Sequence, residues 1–301
     1  MNMSDQPPIC DYEGSNYRTR FWEDQGRSYE DRVERIALRR LMPPSGGTLI
    51  DIGAGYGRLA SEFDGYERVV LFDYSKSLLE EAHGKLGGDP RFIFAAGNWY
   101  QMPFVSGLFD TMVQVRTIHH AADVPRLFSQ LARIAAPNSS YILEFANKRN
   151  LKAILRYWTG RQRWSPFSPH PVEFAELNYD FHPAWMEEQL LSSGFKPGRK
   201  LTVSHFRLPL LKQLMPTMLL ARFDSTLQLS GDLFQLTPSV FVSCRSPDQG
   251  DAAEAGTFFA CPTCGTPLSH PVNHQLICSN EACGRRWSVS GNIYDFKTPL
   301  E

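Results

Sequence analysis

Long apolar runs and an excess of one charge are both missing from this sequence. No stretch approaches the roughly 20 apolar residues of a membrane-spanning helix, and residues 1–11 lack the apolar core of a secretory signal. We therefore expect a cytoplasmic protein without a transmembrane segment. The 31 Lys and Arg residues are balanced by 32 Asp and Glu residues, a formal net charge of -1. This balance argues against a molecule that binds nucleic acid over its whole surface, although a local basic patch could still do so.

Cysteine is scarce and unevenly distributed. Six cysteines occur in 301 residues; Cys10 and Cys244 stand alone, and the other four lie close together near the C-terminus. This distribution indicates one local site and not a disulfide framework.

Apolar runs typical of strands alternate with helical patterns between residues 46 and 145. Strands are predicted at 48–52, 68–72, 92–95, 110–115 and 141–145, and helices at 75–86 and 124–134. After an irregular stretch, a helix begins at Pro183 and is closed by Gly194, and strands at 200–206 and 239–245 bring the total to seven. The expected fold is α/β: a Rossmann-like, seven-stranded, mostly parallel sheet with helices on both faces.

The chain is longer than the roughly 100 to 200 residues of a typical domain. We expect an N-terminal helical cap at 1–45, a main domain at 46–245 with a lid insertion at about 147–182, and a small C-terminal domain at 257–301. Residues 246–256 are rich in Ser, Pro, Asp, Ala and Gly without apolar periodicity, which is typical of a linker.

A glycine-rich loop follows the first predicted strand. Gly53, Gly55 and Gly57 occupy alternate positions, so a ligand can lie against bare backbone and meet unpaired N–H groups at the start of a helix. An ordinary tight turn is the alternative. The spacing differs from the G-x-G-x-x-G of dinucleotide sites, and Asp51 stands two residues before the first glycine. A carboxylate there disfavours a pyrophosphate but suits a ligand with an ammonium and a sulfonium group, and S-adenosylmethionine (SAM) is such a ligand.

Asp73 ends the second predicted strand. From there a carboxylate can accept hydrogen bonds from both ribose hydroxyls of an adenosine. A simple acid at the start of the next helix is the alternative. The glycine loop and this acid together indicate an adenosine-containing cofactor far more specifically than either feature alone.

With these motifs, residues 29–245 resemble the class I SAM-dependent methyltransferases, and most closely the group that contains quinone-biosynthesis and related small-molecule enzymes. The segment 97–104 is similar to that group's G-D-x-x-x-L-P-F motif, whose acid receives the adenine amino group. Here that position is Asn98, which can still accept the hydrogen bond without the charge. The resemblance also implies that Tyr74 and Trp99 flank the adenine, although both could be core aromatics.

His119 and His120 are the candidate catalytic residues, because they follow the fourth predicted strand, where related enzymes face cofactor and acceptor. A histidine could take a proton from an acceptor hydroxyl or amine. A structural role in the loop is the alternative. The Asn/Asp-Pro-Pro-Tyr run of enzymes that methylate exocyclic or amide nitrogens is absent, and so is a Pro-Cys nucleophile for pyrimidine C5 methylation.

The acceptor side shows two further features. The stretch that begins at Asn147 and ends at Trp164 contains six Lys and Arg residues, no acid, and interleaved aromatics. It could bind RNA, an anionic membrane or an acidic acceptor, but we favour a lid over a small-molecule acceptor. Before the first strand, four aromatic residues precede a helix predicted to run to Met42, in a segment that could close over the cofactor and acceptor or serve as a structural cap: Tyr17, Phe21, Trp22 and Tyr29.

Near the C-terminus, Cys261 and Cys264 form a C-x2-C knuckle, and Cys278 and Cys283 form a C-x4-C knuckle. Four thiolates so spaced can enclose a structural zinc ion and leave no position for water. A redox C-x-x-C is the alternative, but it does not explain the second pair. The segment after them resembles the end of small zinc-ribbon proteins that partner translation-related methyltransferases, which implies an activator fused in cis.

Three functions remain open from the sequence. The favoured one is SAM-dependent methyl transfer to an oxygen, nitrogen or carbon atom of a small molecule. An RNA or translation-factor methyltransferase is the second, and a noncatalytic protein that binds SAM or a partner through its ribbon is the third.

Overall fold

The structure of the protein is a computed structural model that describes residues 6–15, 26–248 and 250–300. Strands and helices follow one another in the order expected of an α/β fold. The strands are β1 Gly46–Ile52, β2 Tyr66–Asp73, β3 Phe92–Ala96, β4 Phe109–Gln114, β5 Ala135–Ala146, β6 Val172–Ala175, β7 Asn178–Asp180, β8 Lys196–Val203, β9 Ser239–Arg245, β10 Gln275–Ile277, β11 Arg286–Ser290 and β12 Ile293–Leu300. The helices are α1 Ser28–Leu41, α2 Lys76–Leu86, α3 Val124–Ile134, α4 Leu151–Trp158, α5 Pro183–Ser192, α6 Pro209–Leu214 and α7 Thr217–Leu227.

Ten of the described strands form one sheet in the order β10-β11-β12-β3-β2-β1-β4-β5-β9-β8, and β6 and β7 form a separate hairpin. The segment from β3 to β5 is parallel, whereas β9 is antiparallel to both of its neighbours. The chain order reverses between β1 and β4, which is where open α/β sheets bind ligands. The predicted Rossmann-like, mostly parallel sheet is therefore confirmed. The predicted number of seven strands is too low, because the C-terminal strands β10, β11 and β12 join the same sheet.

The central strands are apolar on both faces because helices cover the sheet on both sides. Ile50 and Val70 belong to the core on one face, and Leu49 and Val69 belong to the core on the other. Alternate residues of each strand point to opposite faces, so one apolar run serves both cores.

Most predicted elements agree with the structure to within a few residues. Helix α3 and strand β9 have the predicted bounds, and Ser75 caps α2 by accepting a hydrogen bond from the backbone N–H of Leu78. Strand β8 is displaced: it begins at Lys196 and ends at Val203, whereas the sequence predicts 200–206. It cannot continue because Ser204 adopts a φ of 69°, outside the extended range.

Two regions contain elements that the sequence does not predict. The expected lid holds α4 and the β6–β7 hairpin, and the segment after β8 holds α6, α7 and a short 3-10 turn at Gln228–Asp232. In the second region, apolar residues occur on most sides of the helices, so the sequence shows no helical period. Within the described residues, no helix is long and apolar enough to cross a bilayer.

The C-terminal strands belong to the main sheet, although the sequence suggests a separate small domain. Strand β12 pairs in parallel with β3, from Ile293 opposite Phe94 to Asp295 opposite Ala96. Behind this pairing, the Phe259 ring lies 5.7 Å from that of Phe104. Because β3 would otherwise be an edge strand, β12 satisfies its free backbone groups and extends the sheet.

Candidate functional site

A cavity opens at the carboxyl ends of β1, β2 and β4. Of the predicted cofactor residues, six line it: Asp51, Gly53, Gly55, Asp73, Tyr74 and Trp99. Gly57 and Asn98 are not among its lining residues. The tertiary structure therefore brings together most of the residues that the motifs single out.

The glycine loop is held tightly against the end of β2. The backbone N–H groups of Gly53 and Ala54 both donate to the Phe72 carbonyl, at 2.7 and 3.1 Å. Gly53 has a φ of 73°, and an added Cβ would lie 2.3 Å from Cγ2 of Thr117. Only glycine fits here, because the backbone conformation and the neighbouring side chain both exclude a larger residue.

Asp73 connects the loop to the start of α2. Its carboxylate accepts hydrogen bonds from the backbone N–H groups of Gly55 at 2.7 Å and Ser75 at 2.8 Å. Burial raises the pKa of Asp73 to about 6, despite these donors. The side chain is fixed at the cavity wall, where a hydroxyl of a bound ligand could donate to it.

Asp51 is the most buried acid in the cavity wall, with 3% exposure. Burial raises its pKa to about 7, and the nearby Asp73 adds to this, although Arg58 opposes it. Its carboxylate has no hydrogen bond to a described residue. A buried carboxyl without a partner is costly to ionise, and a cationic ligand would remove that cost.

Asn98 lies just outside the cavity. Its Oδ1 accepts a hydrogen bond from the backbone N–H of Tyr100 at 2.8 Å, and its Nδ2 donates to Gln6 at 3.0 Å. The side chain thus caps the 3-10 turn Trp99–Gln101. Its predicted contact with an adenine stays a prediction.

The two predicted catalytic histidines differ in position. His120 lines the cavity, and its Nδ1 lies 2.8 Å from the Leu177 carbonyl, so Nδ1 must carry the proton. Nε2 then accepts from the Tyr12 hydroxyl at 3.1 Å. Burial lowers the pKa of His120, which favours this neutral form. His119 does not line the cavity, although its ring centroid lies 4.0 Å from that of His120.

The segment 9–14, called the strap here, crosses the cavity and has no motif that could have revealed it. Ile9, Cys10 and Tyr12 line the cavity. The Glu13 carboxylate accepts hydrogen bonds from two backbone N–H groups at the start of α2 and from Nζ of Lys297 in β12, at 2.8 to 2.9 Å. These donors lower the pKa of Glu13 to about 2, although burial opposes them.

Helix α1 contacts the cavity wall through ion pairs. Glu34 is buried and pairs with Arg116, which follows β4, and with Arg58 of the glycine loop region. Of the N-terminal aromatics, Tyr29 is buried and donates its hydroxyl to Asp224 at 2.6 Å, away from the cavity. The three others, Tyr17, Phe21 and Trp22, lie outside the described residues.

The four C-terminal cysteines come together as the spacing predicts. The Sγ atoms of Cys261, Cys264, Cys278 and Cys283 all lie within 4.8 Å of one another. Tetrahedral zinc with bonds of about 2.3 Å needs sulfur atoms roughly 3.8 Å apart. The cluster has the dimensions of a four-thiolate metal site.

Comparison with known proteins agrees with this geometry. Residues 50–143 match the methyltransferase domain family, over the part of the chain that carries β1 to β5 and the cavity. This part of the chain is therefore similar to methyltransferase domains. Its curated relatives include the 27-O-demethylrifamycin SV methyltransferase of Amycolatopsis mediterranei, 25% identical over 43% of this chain and 51% of that protein. Another is the demethylmenaquinone methyltransferase of Roseiflexus sp., 28% identical over 52% of this chain and 67% of that protein. The chain spans about half the length of the first of these relatives.

Solved structures show the same fold. A SAM-dependent methyltransferase from Mesorhizobium loti aligns with a TM-score of 0.52 and 21% identity, over 72% of this chain and all of that one. A chain from a complex that contains the Haloferax volcanii Trm112 methyltransferase activator aligns with a TM-score of 0.52 and 16% identity, over 75% of this chain and 95% of that one.

Proposed function

We propose that this protein transfers the methyl group of SAM to a small-molecule acceptor. The observation that carries the proposal is the convergence of the buried carboxyl of Asp51, the partly buried carboxyl of Asp73 and the glycine loop around one cavity. SAM supplies an activated methyl group on a sulfonium, and its amino acid part carries an ammonium group. Asp51 would bind the ammonium, and Asp73 would accept from the ribose hydroxyls.

The chemistry left to the protein is mainly orientation, because the methyl group is already activated. An acceptor oxygen or nitrogen that attacks the methyl carbon must also release a proton. Tyr12 and His120 form a hydrogen-bonded pair at the cavity, so the Tyr12 oxygen can take the acceptor's proton while the Tyr12 hydroxyl proton passes to Nε2 of His120. The Leu177 carbonyl holds the ring in the required tautomer.

A small acceptor is favoured by the relatives, whose names describe methylation of a rifamycin and of demethylmenaquinone. The cavity is also framed by apolar side chains, among them Ile9, Leu59 and Val115.

We further propose that the cysteine cluster holds a structural zinc ion. All four sulfurs come from the protein, and the knuckles carry few apolar residues to fold without a metal. Through β12, this ribbon reaches the strap, since Lys297 donates to Glu13 and lies 4.5 Å from the centre of the Tyr74 ring. The ribbon would thus support the cofactor cavity in cis.

Calorimetry with S-adenosylhomocysteine, the demethylated product, tests the cofactor proposal. Saturable binding is expected, and binding of neither SAM nor the product would leave only the noncatalytic alternative. An assay with tritiated SAM against a metabolite extract and against RNA tests the acceptor class. Label in the RNA alone would replace the small-molecule proposal with the RNA one.

A further inference from the structure

Large apolar side chains are concentrated on the surface of the segment 208–236, called the apolar segment here. Eleven of them are exposed, and the exposure of Leu214 and Leu233 reaches 72% and 81%. The set is Leu208, Leu210, Leu214, Met218, Leu219, Phe223, Leu227, Leu229, Leu233, Phe234 and Leu236. Proteins that remain in bulk water rarely expose so much contiguous apolar surface, and such a surface marks an interaction site.

Helix α4 also exposes large apolar side chains. Its buried side consists of Ala153 and Ile154, whereas Leu151, Leu155 and the 70% exposed Trp158 face outward. Lys and Arg side chains alternate with these apolar ones along the exposed side. A basic, apolar and aromatic exposed side is typical of helices that lie at a membrane interface.

Helix α4 and the apolar segment are in direct contact. The backbone N–H of Leu151 donates to the Leu236 carbonyl at 2.8 Å. Just before the helix, Nδ2 of Asn147 donates to the carbonyls of Gln235 and Thr237 at 3.1 and 2.8 Å. The basic helix and the apolar segment therefore meet at the end of the apolar segment that carries Leu233 and Phe234.

Most exposed charges of this region are positive, although the Asp180 carboxyl at the end of β7 is near Arg156 and Lys148. Five exposed cations make no ion pair with any residue that the structure describes: Arg149, Lys152, Arg156, Arg161 and Arg163. Of the two acids in the apolar segment, Asp224 is buried and Asp232 accepts a hydrogen bond from the Lys200 backbone. Exposed Glu173 and Glu176 lie on the β6–β7 hairpin, which contacts His120 on the cavity side.

We propose that α4 and the apolar segment dock the protein onto an anionic lipid surface. The aliphatic and aromatic side chains insert at the boundary between headgroups and acyl chains, and the five cations pair with lipid phosphates. Trp158 lies at the level of the headgroups, where an amphipathic ring is most stable.

Other occupants fit the observations less well. RNA would pair with the cations and stack on Trp158, but its bases offer no partner to exposed leucines such as Leu214 and Leu233. A second copy of this chain would cover the leucines but would bring two sets of unpaired cations together. An anionic lipid surface satisfies both the apolar and the charged side chains.

This docking surface lies at the same edge of the sheet as the cavity. Helix α4 follows the carboxyl end of β5, and the apolar segment ends where β9 begins, with Ala146 paired to Ser239. The cavity opens at the carboxyl ends of the parallel strands next to β5. An acceptor dissolved in the lipid would therefore approach from the cavity side, but docking itself does not depend on methyl transfer.

Vesicle flotation tests the proposal on the full chain, using phosphatidylcholine vesicles with and without phosphatidylglycerol. We expect tighter binding to the anionic vesicles and weakening by added salt. The double variant Lys152→Gln/Arg156→Gln should bind anionic vesicles about 25-fold more weakly, because each cation near the surface contributes about fivefold. The double variant Leu233→Ser/Phe234→Ser should bind both vesicle types at least about tenfold more weakly.

Two control variants remove groups of the same kind elsewhere: one apolar side chain, and two cations of which Lys196 pairs with Asp248. Val272→Ser removes an exposed apolar side chain from the ribbon, at the opposite end of the sheet, and Lys196→Gln/Arg199→Gln removes two exposed cations from the start of β8. Both should bind vesicles like the unmodified protein, and thermal unfolding checks that every variant is folded.

The proposal is overturned if the protein floats with neither vesicle type, or shows no preference for phosphatidylglycerol. It is also overturned if the two docking-surface variants bind as the controls do. Binding of RNA without binding of vesicles, measured by anisotropy, would assign the surface to RNA. A dimer that the Leu233→Ser/Phe234→Ser variant abolishes, again without vesicle binding, would assign it to a second copy.

Discussion

Replacing Asp51 by Asn tests whether the cavity recognises the ammonium group of the proposed cofactor by its charge. The side chain keeps its size, but it can no longer ionise. We expect S-adenosylhomocysteine, which carries an ammonium group, to bind much more weakly. We expect 5′-methylthioadenosine, which lacks the amino acid part, to bind as before.

The magnitude follows from the pKa of Asp51, which burial raises to about 7. Because this group is an acid, it is ionised above that pH and protonated below it. At pH 5 only about 1% of the carboxyl is ionised, so binding of the ammonium ligand should fall about 100-fold between pH 8 and pH 5. That ratio corresponds to about 3 kcal/mol, the upper range for a charge-assisted hydrogen bond.

The assay is calorimetry of both ligands from pH 5 to pH 8, and the ratio of the two dissociation constants is the quantity of interest. In the proposed site the Asp73 carboxyl, whose pKa is about 6, would contact the ribose that both ligands share, so its titration should cancel in the ratio. In the Asp51→Asn variant the ratio should be independent of pH. A ratio that still changes with pH, or product binding at pH 8 within threefold of the unmodified protein, would refute the role of Asp51.

The same pKa predicts an effect on stability without ligand. The folded pKa is raised above the unfolded value, so the folded state binds the extra proton between about pH 4 and pH 7 and loses stability as the pH rises through this window. The Asp51→Asn variant should therefore be more stable at pH 8, by on the order of 2 to 4 kcal/mol, and similar at pH 4. Chemical denaturation at both values measures this.

Three further predictions concern other parts of the molecule. Asp73→Ala should weaken both ligands, by roughly 30-fold, because it removes the ribose acceptor and the anchor of the Gly55 backbone; equal binding would remove Asp73 from the site. His120→Gln should lower kcat by about 100-fold or more with little change in product binding if the acceptor loses a proton, whereas an unchanged pH profile of kcat would exclude proton transfer to it. Metal analysis should find about one zinc per chain, and Cys278→Ser should lower the unfolding temperature and release the metal; a stable, metal-free variant would contradict a structural site.

The ribbon and the strap are in direct contact in the structure. Lys297 of the last strand and two N–H groups of α2 hold Glu13, and Glu13 places the strap across the cavity. A ligand in this cavity would lie against the strap, because Ile9, Cys10 and Tyr12 line it. The ribbon is therefore connected to the site by an ion pair whose partners lie at opposite ends of the sequence.

The sequence alone predicts the central strands, the helices between them, the glycine loop and the cysteine cluster. These features are local: a strand shows its apolar run, a helix shows its period, and Gly53 and the cysteines show the spacing that their turns require. The residues that the motifs single out in β1 and β2 meet at one cavity because parallel strands end at the same edge of the sheet.

The tertiary structure alone decides the remaining features, because they depend on contacts between distant segments. No local pattern pairs β12 with β3, since any strand with free backbone groups could extend that edge. The Tyr12 hydroxyl hydrogen-bonds to His120, which is more than a hundred residues away in the sequence. The Oδ1 atom of Asn98 accepts a hydrogen bond from the backbone N–H of Tyr100. The helices of the apolar segment could not be predicted from the sequence. A helical period appears in a sequence when only one face of the helix is apolar and buried, but many apolar side chains of this segment are exposed.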